Sequence, residues 1–437
     1  MAQRHAGRRG WLWGTTMAAV SALLTAPAFG AGFSIFEQGS KAMGMAGAFT
    51  AQADDPSAIF HNVAGLGFQW EERAFQVGAT YITHGEADYQ GAPPFPGSDA
   101  TGEQKTLSEI PPHFYWTEPL RGGWTFGLGL NAPFGLSVEW DDADRWPGRF
   151  ISERAALRAI DLSLNLGREI AKDFSFGIGV IGRYSDVELD RRQAAVNPFT
   201  NQAAEIAKVG LEGDFSEGFG WQIGILHRYN NSFSWGLTYR SKVEVDYDGD
   251  ATFTQVPTGH PIFDAIVAMQ LPDGAVPVTT SIEFPDSASL GLLFALSPNV
   301  RLETDVNWMG WSSFDQLVVE FDDPRVETLV RDEAWDDVFN YRVGLKWMRP
   351  GGREWRFGYV FDENPVPDET LGPLLPDSDR NGFTVGLGLG GDRLAADIAL
   401  MYLPFDEREI ESDVDQHDNF YGTYDTTAWL LGVTLGF

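Results

Sequence analysis

The chain has 437 residues, 43% of them hydrophobic and 13% aromatic, with no cysteine and a formal net charge of −31. That hydrophobic content excludes a disordered chain, and the missing cysteines exclude disulfide scaffolds, thiolate metal sites and cysteine nucleophiles. With 31 basic against 62 acidic residues, there is too little positive charge to neutralise phosphates, so no nucleic-acid partner is expected.

Residues 1–30 place Arg4, Arg8 and Arg9 before an uncharged apolar run from Trp11 to Ala26, then small residues at Ala28 and Gly30. This is the pattern of a secretory signal peptide cleaved before Ala31. The run is shorter than the ~20 residues of a membrane helix, and no later segment is apolar enough to be one.

Residues 31–68 are rich in glycine and alanine and show no two-residue alternation. Phe33, Ile35, Phe36, Met43, Met45, Phe49, Ile59 and Phe60 favour burial of this segment. It precedes the first strand and could hang free in the periplasm or fold into the lumen as a plug, and its apolar content favours the plug.

From Trp70 onward the period is two. Phe174, Phe176, Ile178 and Val180 alternate with Ser175, Gly177, Gly179 and Ile181. Leu302, Thr304, Val306 and Trp308 oppose Arg301, Glu303, Asp305 and Asn307. Fourteen strands are expected, near 69–84, 105–118, 124–140, 155–170, 174–192, 207–227, 232–255, 276–296, 299–321, 333–349, 352–363, 379–391, 393–411 and 420–437. A soluble sandwich would also alternate. Segments long enough for a tilted crossing, bulky faces ending in aromatics and opposite faces that are polar or glycine-rich favour a transmembrane antiparallel β-barrel over residues 69–437. Such a sheet must close, because an unpaired backbone group in hydrocarbon costs several kcal/mol. The last strand ends on Phe437, in line with Trp429, Leu431, Val433 and Leu435, and this terminal aromatic resembles the signal read by outer-membrane barrel assembly machinery.

Two stretches break the rule. Pro133 and Gly135, in Asn131-Ala132-Pro133-Phe134-Gly135, interrupt the third strand, where proline removes a ladder donor and glycine permits a bulge. Either the wall kinks at Pro133, Phe134 and Gly135 to leave a functional gap, or the proline marks the rim. Between Gly259 and Leu271, the residues Ile262, Phe263, Ile266, Val267 and Met269 are spaced for one face of a short helix outside the barrel.

These features resemble the FadL family of outer-membrane transporters for long-chain fatty acids and other hydrophobic compounds, including aromatic hydrocarbons. The likeness runs from Ala31-Gly32-Phe33 through Asp54-Asp55-Pro56-Ser57-Ala58 to Asn62-Val63-Ala64. It continues in Ala132-Pro133-Phe134-Gly135-Leu136 with Trp146-Pro147-Gly148-Arg149-Phe150, in Phe284-Pro285-Asp286-Ser287-Ala288-Ser289-Leu290-Gly291, in Asp305-Val306-Asn307-Trp308, and in Asp362-Glu363-Asn364-Pro365. The family usually carries Asn-Pro-Ala where this chain has Asn62, Val63 and Ala64, so Val63 leaves a rigid turn there less assured.

The resemblance implies an N-terminal hatch at 31–68, a lumenal pocket, and lateral exit of ligand through a gap beside the kinked third strand. It implies ligand contacts at Phe33, Phe36, Trp146, Phe150, Phe263 and Ile266, with Phe33 coupling occupancy to hatch rearrangement. It places Arg191 where the family tends to be basic, as a partner for a fatty-acid carboxylate; the alternative is a solvated arginine paired with Asp190 or Glu188. Trp335-Asp336-Asp337 stands where relatives often show tryptophan, lysine, aspartate, which points instead to a neutral hydrocarbon. The expected partners are thus a fatty acid or other hydrophobic small molecule, outer-membrane lipid and the assembly machinery, with no cofactor.

An outer-membrane lipase would need a serine activated by histidine, and no nucleophile motif accompanies the histidines. Acidic clusters such as Asp246, Asp248 and Asp250 read as solvated loop charge ahead of a calcium site. A purely structural barrel would lack the apolar leading segment and the helix-bearing loop.

Overall fold

Alternating side chains let each strand turn one face to lipid and the other to a lumen, and the chain uses this device all the way round a closed sheet. The computed structural model describes residues 32–69, 71–390 and 394–437; the signal segment, 1–30, lies outside the described residues. Among these, fourteen antiparallel strands form the wall. They are β1 (Ala74–Gly91), β2 (Pro112–Pro119), β3 (Trp124–Glu139), β4 (Arg154–Ala171), β5 (Phe174–Asn197), β6 (Gln202–Asn230) and β7 (Phe233–Arg240 with Val243–Gln255). Then come β8 (Gly274–Phe284 with Ser287–Ser297), β9 (Val300–Met309 with Gln316–Phe321), β10 (Leu329–Asp332 with Val338–Arg349) and β11 (Arg353–Asp362). The last are β12 (Arg380–Leu389), β13 (Ala395–Pro404 with Arg408–Ile410) and β14 (Gly422–Gly436). β1 pairs with β2 on one side and β14 on the other, which closes the barrel. Phe437 and Phe75 exchange backbone hydrogen bonds of 2.9 and 3.0 Å at that closure.

The face read as bulky points outward: Trp429, Leu431, Val433 and Leu435 are exposed, while Leu430 and Thr434 between them are buried. On β4 the outward row is Leu162, Leu164 and Leu166, bounded by Arg158 above and Arg168 below. That apolar row, continued by Ile178 and Val180 of β5, marks the lipid belt.

Residues 32–68 lie inside the barrel as short helices α1 (Ser40–Met43) and α2 (Ala58–His61), a 3-10 turn over Val63–Phe68, and connecting loops. The inward glycines explain how a segment this thick fits. A Cβ at Gly127, Gly167, Gly177, Gly224, Gly236, Gly291, Gly344, Gly358, Gly386 or Gly432 would collide with atoms of this segment. Ten of the fourteen strands therefore give up a side chain where the segment presses against the wall. β9 answers differently, with acids. The carboxylate of Asp305 accepts the Phe49 and Thr50 amides (3.0 and 2.9 Å), and that of Glu303 accepts those of Ala51 and Gln52 (2.6 and 3.1 Å).

At the turn formed by Asn62, Val63 and Ala64, the Asn62 side chain accepts from the Ala64 amide at 3.1 Å and donates to the carbonyls of Thr50 and Ile225. The asparagine caps the 3-10 turn, so the turn forms with valine in place of proline.

The external helix α3 (Pro261–Gln270) is present as expected, capped by His260, whose ring accepts from the Phe263 amide.

Candidate functional site

The site begins with the break in β3. Pairing with β4 shifts between Asn131, opposite Asp161, and Phe134, opposite Ala159, so Ala132 and Pro133 fall out of the ladder. The strand continues to Glu139, so the proline lies within the wall and not at its rim. On its other side β3 is paired with β2 only as far as Leu130. From Ala132 to Gly135 the edge is served by the N-terminal segment, and residues 103–105 pair with it again at 139–141. Ile35 donates its amide to the Pro133 carbonyl (2.7 Å), and Gly135 donates to the Phe33 carbonyl (3.0 Å). The Gln38 side chain both donates to the Ala132 carbonyl (2.6 Å) and accepts from the Ala132 amide (3.1 Å). Backbone groups freed by the kink are thereby satisfied. Gln38 was not singled out from sequence, because a glutamine in a non-periodic segment carries no positional signal.

Next to this suture lies a cavity of about 360 Å³. Phe33, Ile35 and Phe36 line it together with Ala132, Phe134, Gly135 and Leu136 of β3. Its lining also includes inward residues across the lumen, Arg342, Asp362 and Leu430, and outward residues of β4, Arg158 and Ile160. The cavity therefore spans the wall at the kink, between β3 and the Ile110-Pro111-Pro112 entry to β2.

Phe33 is 6% exposed and sits in an aromatic cage, with ring centroids of Trp311 at 4.7 Å, Trp335 at 5.6 Å, Phe314 at 5.9 Å, Phe134 at 6.0 Å and Phe284 at 6.2 Å. Strand interruptions supply most of this cage. Phe284 ends the first piece of β8, Trp311 and Phe314 lie in the gap of β9, and Trp335 lies in the gap of β10. Below it, Arg183 lies 4.5 Å from the Phe134 ring and 4.7 Å from the Phe284 ring. The backbone at Gly32 is held as well: its amide donates to Asp377 at 3.0 Å and its carbonyl accepts from Arg380 at 2.5 Å.

The other sequence-selected residues divide. Phe36 lines the cavity beneath the Arg342 guanidinium, 4.1 Å from its ring. Trp146 does not reach it; the indole stacks on Trp140 at 3.9 Å and donates to the Ser152 carbonyl. Phe150 packs under Arg149 in the same loop. Phe263 belongs to a separate cluster with Val209, Phe253 and Val276, beneath the extended ends of β6 to β8, and Ile266 is half-buried on the same helix. The helix buries Phe263 and Val267 against these strands, which is why they are turned from the lumen. Arg191 is half-buried and does not pair with Asp190 or Glu188, both of which engage Arg154; its buried Nε has no hydrogen-bond partner among the described residues. Asp336 and Asp337 lie outside the cage and exposed, with Asp337 accepting from the Ser312 amide.

Several ionisable groups outside the wall are shifted, His61 and Asp379 among them. Burial, with Arg342 and Arg240 nearby, pushes His61 down to about 3, so it is neutral at physiological pH. Burial beside Asp406 pushes Asp379, in the loop before β12, up to about 7.

Comparison with known proteins places this geometry. The family model described as outer membrane protein transport protein (OMPP1/FadL/TodX) matches residues 21–437. The chain belongs to this family. It is thus an outer-membrane protein of a transport family, and its relatives are transporters and channels and not enzymes. It is 25% identical over 396 residues to a long-chain fatty acid transport protein of Escherichia coli O6:H1, covering 85% of this chain and 86% of that one. A Pseudomonas aeruginosa FadL homologue of known structure superposes with a TM-score of 0.79 at 19% identity, covering 93% and 99%. The Pseudomonas putida toluene transporter TodX gives 0.70 at 14% identity, covering 91% and 97%. Those two likenesses concern the fold.

Proposed function

We propose that the chain takes up hydrophobic compounds across the outer membrane, binding them in the lumenal cavity beside Phe33 and releasing them sideways through the break in β3. One observation carries this reading: the cavity is lined by inward and outward faces of the same wall, Arg342 and Leu430 on one side and Arg158 and Ile160 on the other. Sideways release suits the solute, because each methylene left in apolar surroundings avoids ~0.8 kcal/mol of hydration cost. Residues 31–68 act as a hatch, and displacement of Phe33 from its cage couples occupancy to loosening of the Phe33–Ile35 suture. Movement follows the concentration gradient.

Two ligand classes fit. The E. coli relative is named for long-chain fatty acids, and Arg191 has no acidic partner within ion-pair distance among the described residues, although it lies outside the lining of the cavity, so a carboxylate would meet it only on the way in. A neutral hydrocarbon is favoured by the cavity's own cations. Arg158, Arg342 and Arg380 each already hold a carboxylate, of Asp186, Asp362 and Asp377 respectively, and displacing a paired acid to admit another is costly. The test is uptake by cells expressing the chain, comparing oleate, a long alkane and toluene. Preference for the neutral pair supports the hydrocarbon reading, preference for oleate supports the acid, and failure with all three removes transport of these compounds.

A further inference from the structure

Apart from the interruptions of β8, β9 and β10, the ladder of the wall also lapses between β6 and β7. Gln222–His227 of β6 run alongside Trp235–Arg240 of β7, and Ala207–Gly213 alongside Gly249–Gln255. Among the described residues, none of 214–221 is in register with any of 241–248. The flanking interfaces stay paired here, with Gly218 opposite Arg183 of β5 and Val243 opposite Phe284 of β8. The lapse is at the height of the β3 break, since cross-strand partners run from Asn131 to Asp161, to Arg183, to Gly218.

The lapse is bounded at one end by Trp221, whose carbonyl accepts from the Ser241 amide and whose amide donates to the Ser241 hydroxyl, both at 2.9 Å; over residues 214–220 side-chain packing holds the two strands together where the ladder is missing. A Cβ at Gly218 would come within 2.2 Å of the Glu244 carbonyl and 2.8 and 2.9 Å of Val243 and Val245 methyls, and one at Gly220 would meet Val243 at 2.7 Å and the Ser241 hydroxyl at 3.0 Å. On the inner side, Val243, Val245 and Phe284 are buried in the same cluster as Phe33 and Trp311. On the outer side, Phe215 and Phe219 are 62% and 75% exposed. Over residues 214–220, beyond the Trp221–Ser241 bonds, a valine-on-glycine contact can part and reclose without breaking ladder hydrogen bonds, which a paired interface in hydrocarbon cannot do cheaply. Apolar surface lines both sides of the joint.

We propose that this β6–β7 seam is a second lateral portal for hydrophobic ligand, between the aromatic cage and the membrane, three strands along the wall from the break in β3. The inference rests on the cavity being the ligand site.

Because the chain has no cysteine, Gly220→Cys with Ser241→Cys introduces a single pair, and the 3.0 Å approach suits a disulfide. Toluene uptake is measured in cells carrying this pair, alone and together with Gly135→Trp, oxidised and then reduced with dithiothreitol. Tyr402→Cys with Trp429→Cys, across the laddered β13–β14 interface, is the reference and is expected to leave uptake unchanged. The portal predicts residual uptake in the Gly135→Trp background that falls several-fold on oxidation of the seam pair and returns on reduction. Restored uptake also shows that the variant is folded. Equal uptake before and after reduction, or no residual uptake with Gly135→Trp in either state, overturns the second portal while leaving transport intact. Absence of uptake by the unmodified chain removes the transport reading and the seam with it.

Discussion

Asp161 of β4 grips Arg183 of β5 with both oxygens, at 2.7 and 2.8 Å, with the two side chains 2% and 1% exposed. The pair forms the floor of the aromatic cage. A buried pair adds little over apolar packing, but removing one member strands a charge at a cost of about 3–5 kcal/mol. Asp161→Ala is therefore expected to lower the thermal unfolding midpoint of the barrel in detergent markedly. Adding Arg183→Met should recover much of the loss, because the double variant leaves no unpaired charge. Equal destabilisation by the single and double variants would show that the carboxylate matters for something other than balancing Arg183.

The second prediction concerns the seat of the N-terminal segment on β9. Leaving a buried amide without its acceptor costs about 1–3 kcal/mol, and Glu303 and Asp305 accept four consecutive amides, those of residues 49–52. Asp305→Leu combined with Glu303→Met keeps much of the volume and removes the acceptors. Amide hydrogen exchange over 49–52 should then accelerate about tenfold to a hundredfold, while exchange in the β13–β14 ladder stays unchanged. Uniform acceleration across the barrel would mean that these acids support the wall and not the segment within it.

The third prediction is a pH dependence. Burial and Asp406 raise Asp379 to about 7, above its ordinary value of 3.8, so the folded loop holds the proton more tightly than the unfolded chain. Its contribution to loop stability is thus greatest below about pH 4 and is lost as pH rises towards 7. The Asp379 side chain accepts from the Asn364 amide at 3.2 Å, and its carbonyl accepts from the Asp406 amide at 2.7 Å. Hydrogen exchange over residues 364–379 should be faster at pH 8 than at pH 5 after correction for intrinsic rates, and Asp379→Asn should flatten the difference. A slope that survives that substitution would assign the effect to another group.

Much of the wall was legible because a two-residue period is forced on any strand with lipid on one face and lumen on the other. All fourteen expected strands are present, and Phe174 to Ile181 could be assigned to faces from identity alone. The inward glycines were read only as a small face; what they accommodate depends on the path of residues 32–68, which no local pattern encodes. Pro133 and Gly135 announced the kink, since proline cannot donate to a ladder. Gln38, which repairs that kink, and the cage of Phe284, Trp311, Phe314 and Trp335 did not, because they converge from separate strand interruptions far apart in sequence. Trp146, Phe150 and Phe263 were selected by block likeness and by helical spacing, and those signals identify a loop or an apolar face without saying what that face covers.

The most direct measurement is uptake through a barrel whose side opening has been filled. Gly135 lies opposite Arg158, and a Cβ there would meet the Ile35 side chain at 2.9 Å, with backbone outside the left-handed region. A large side chain at this position therefore enters the opening without straining the main chain. Gly135→Trp should assemble in the outer membrane at the level of the unmodified chain and take up toluene and oleate several-fold more slowly. Normal assembly with undiminished uptake of both compounds would contradict passage through the break in β3.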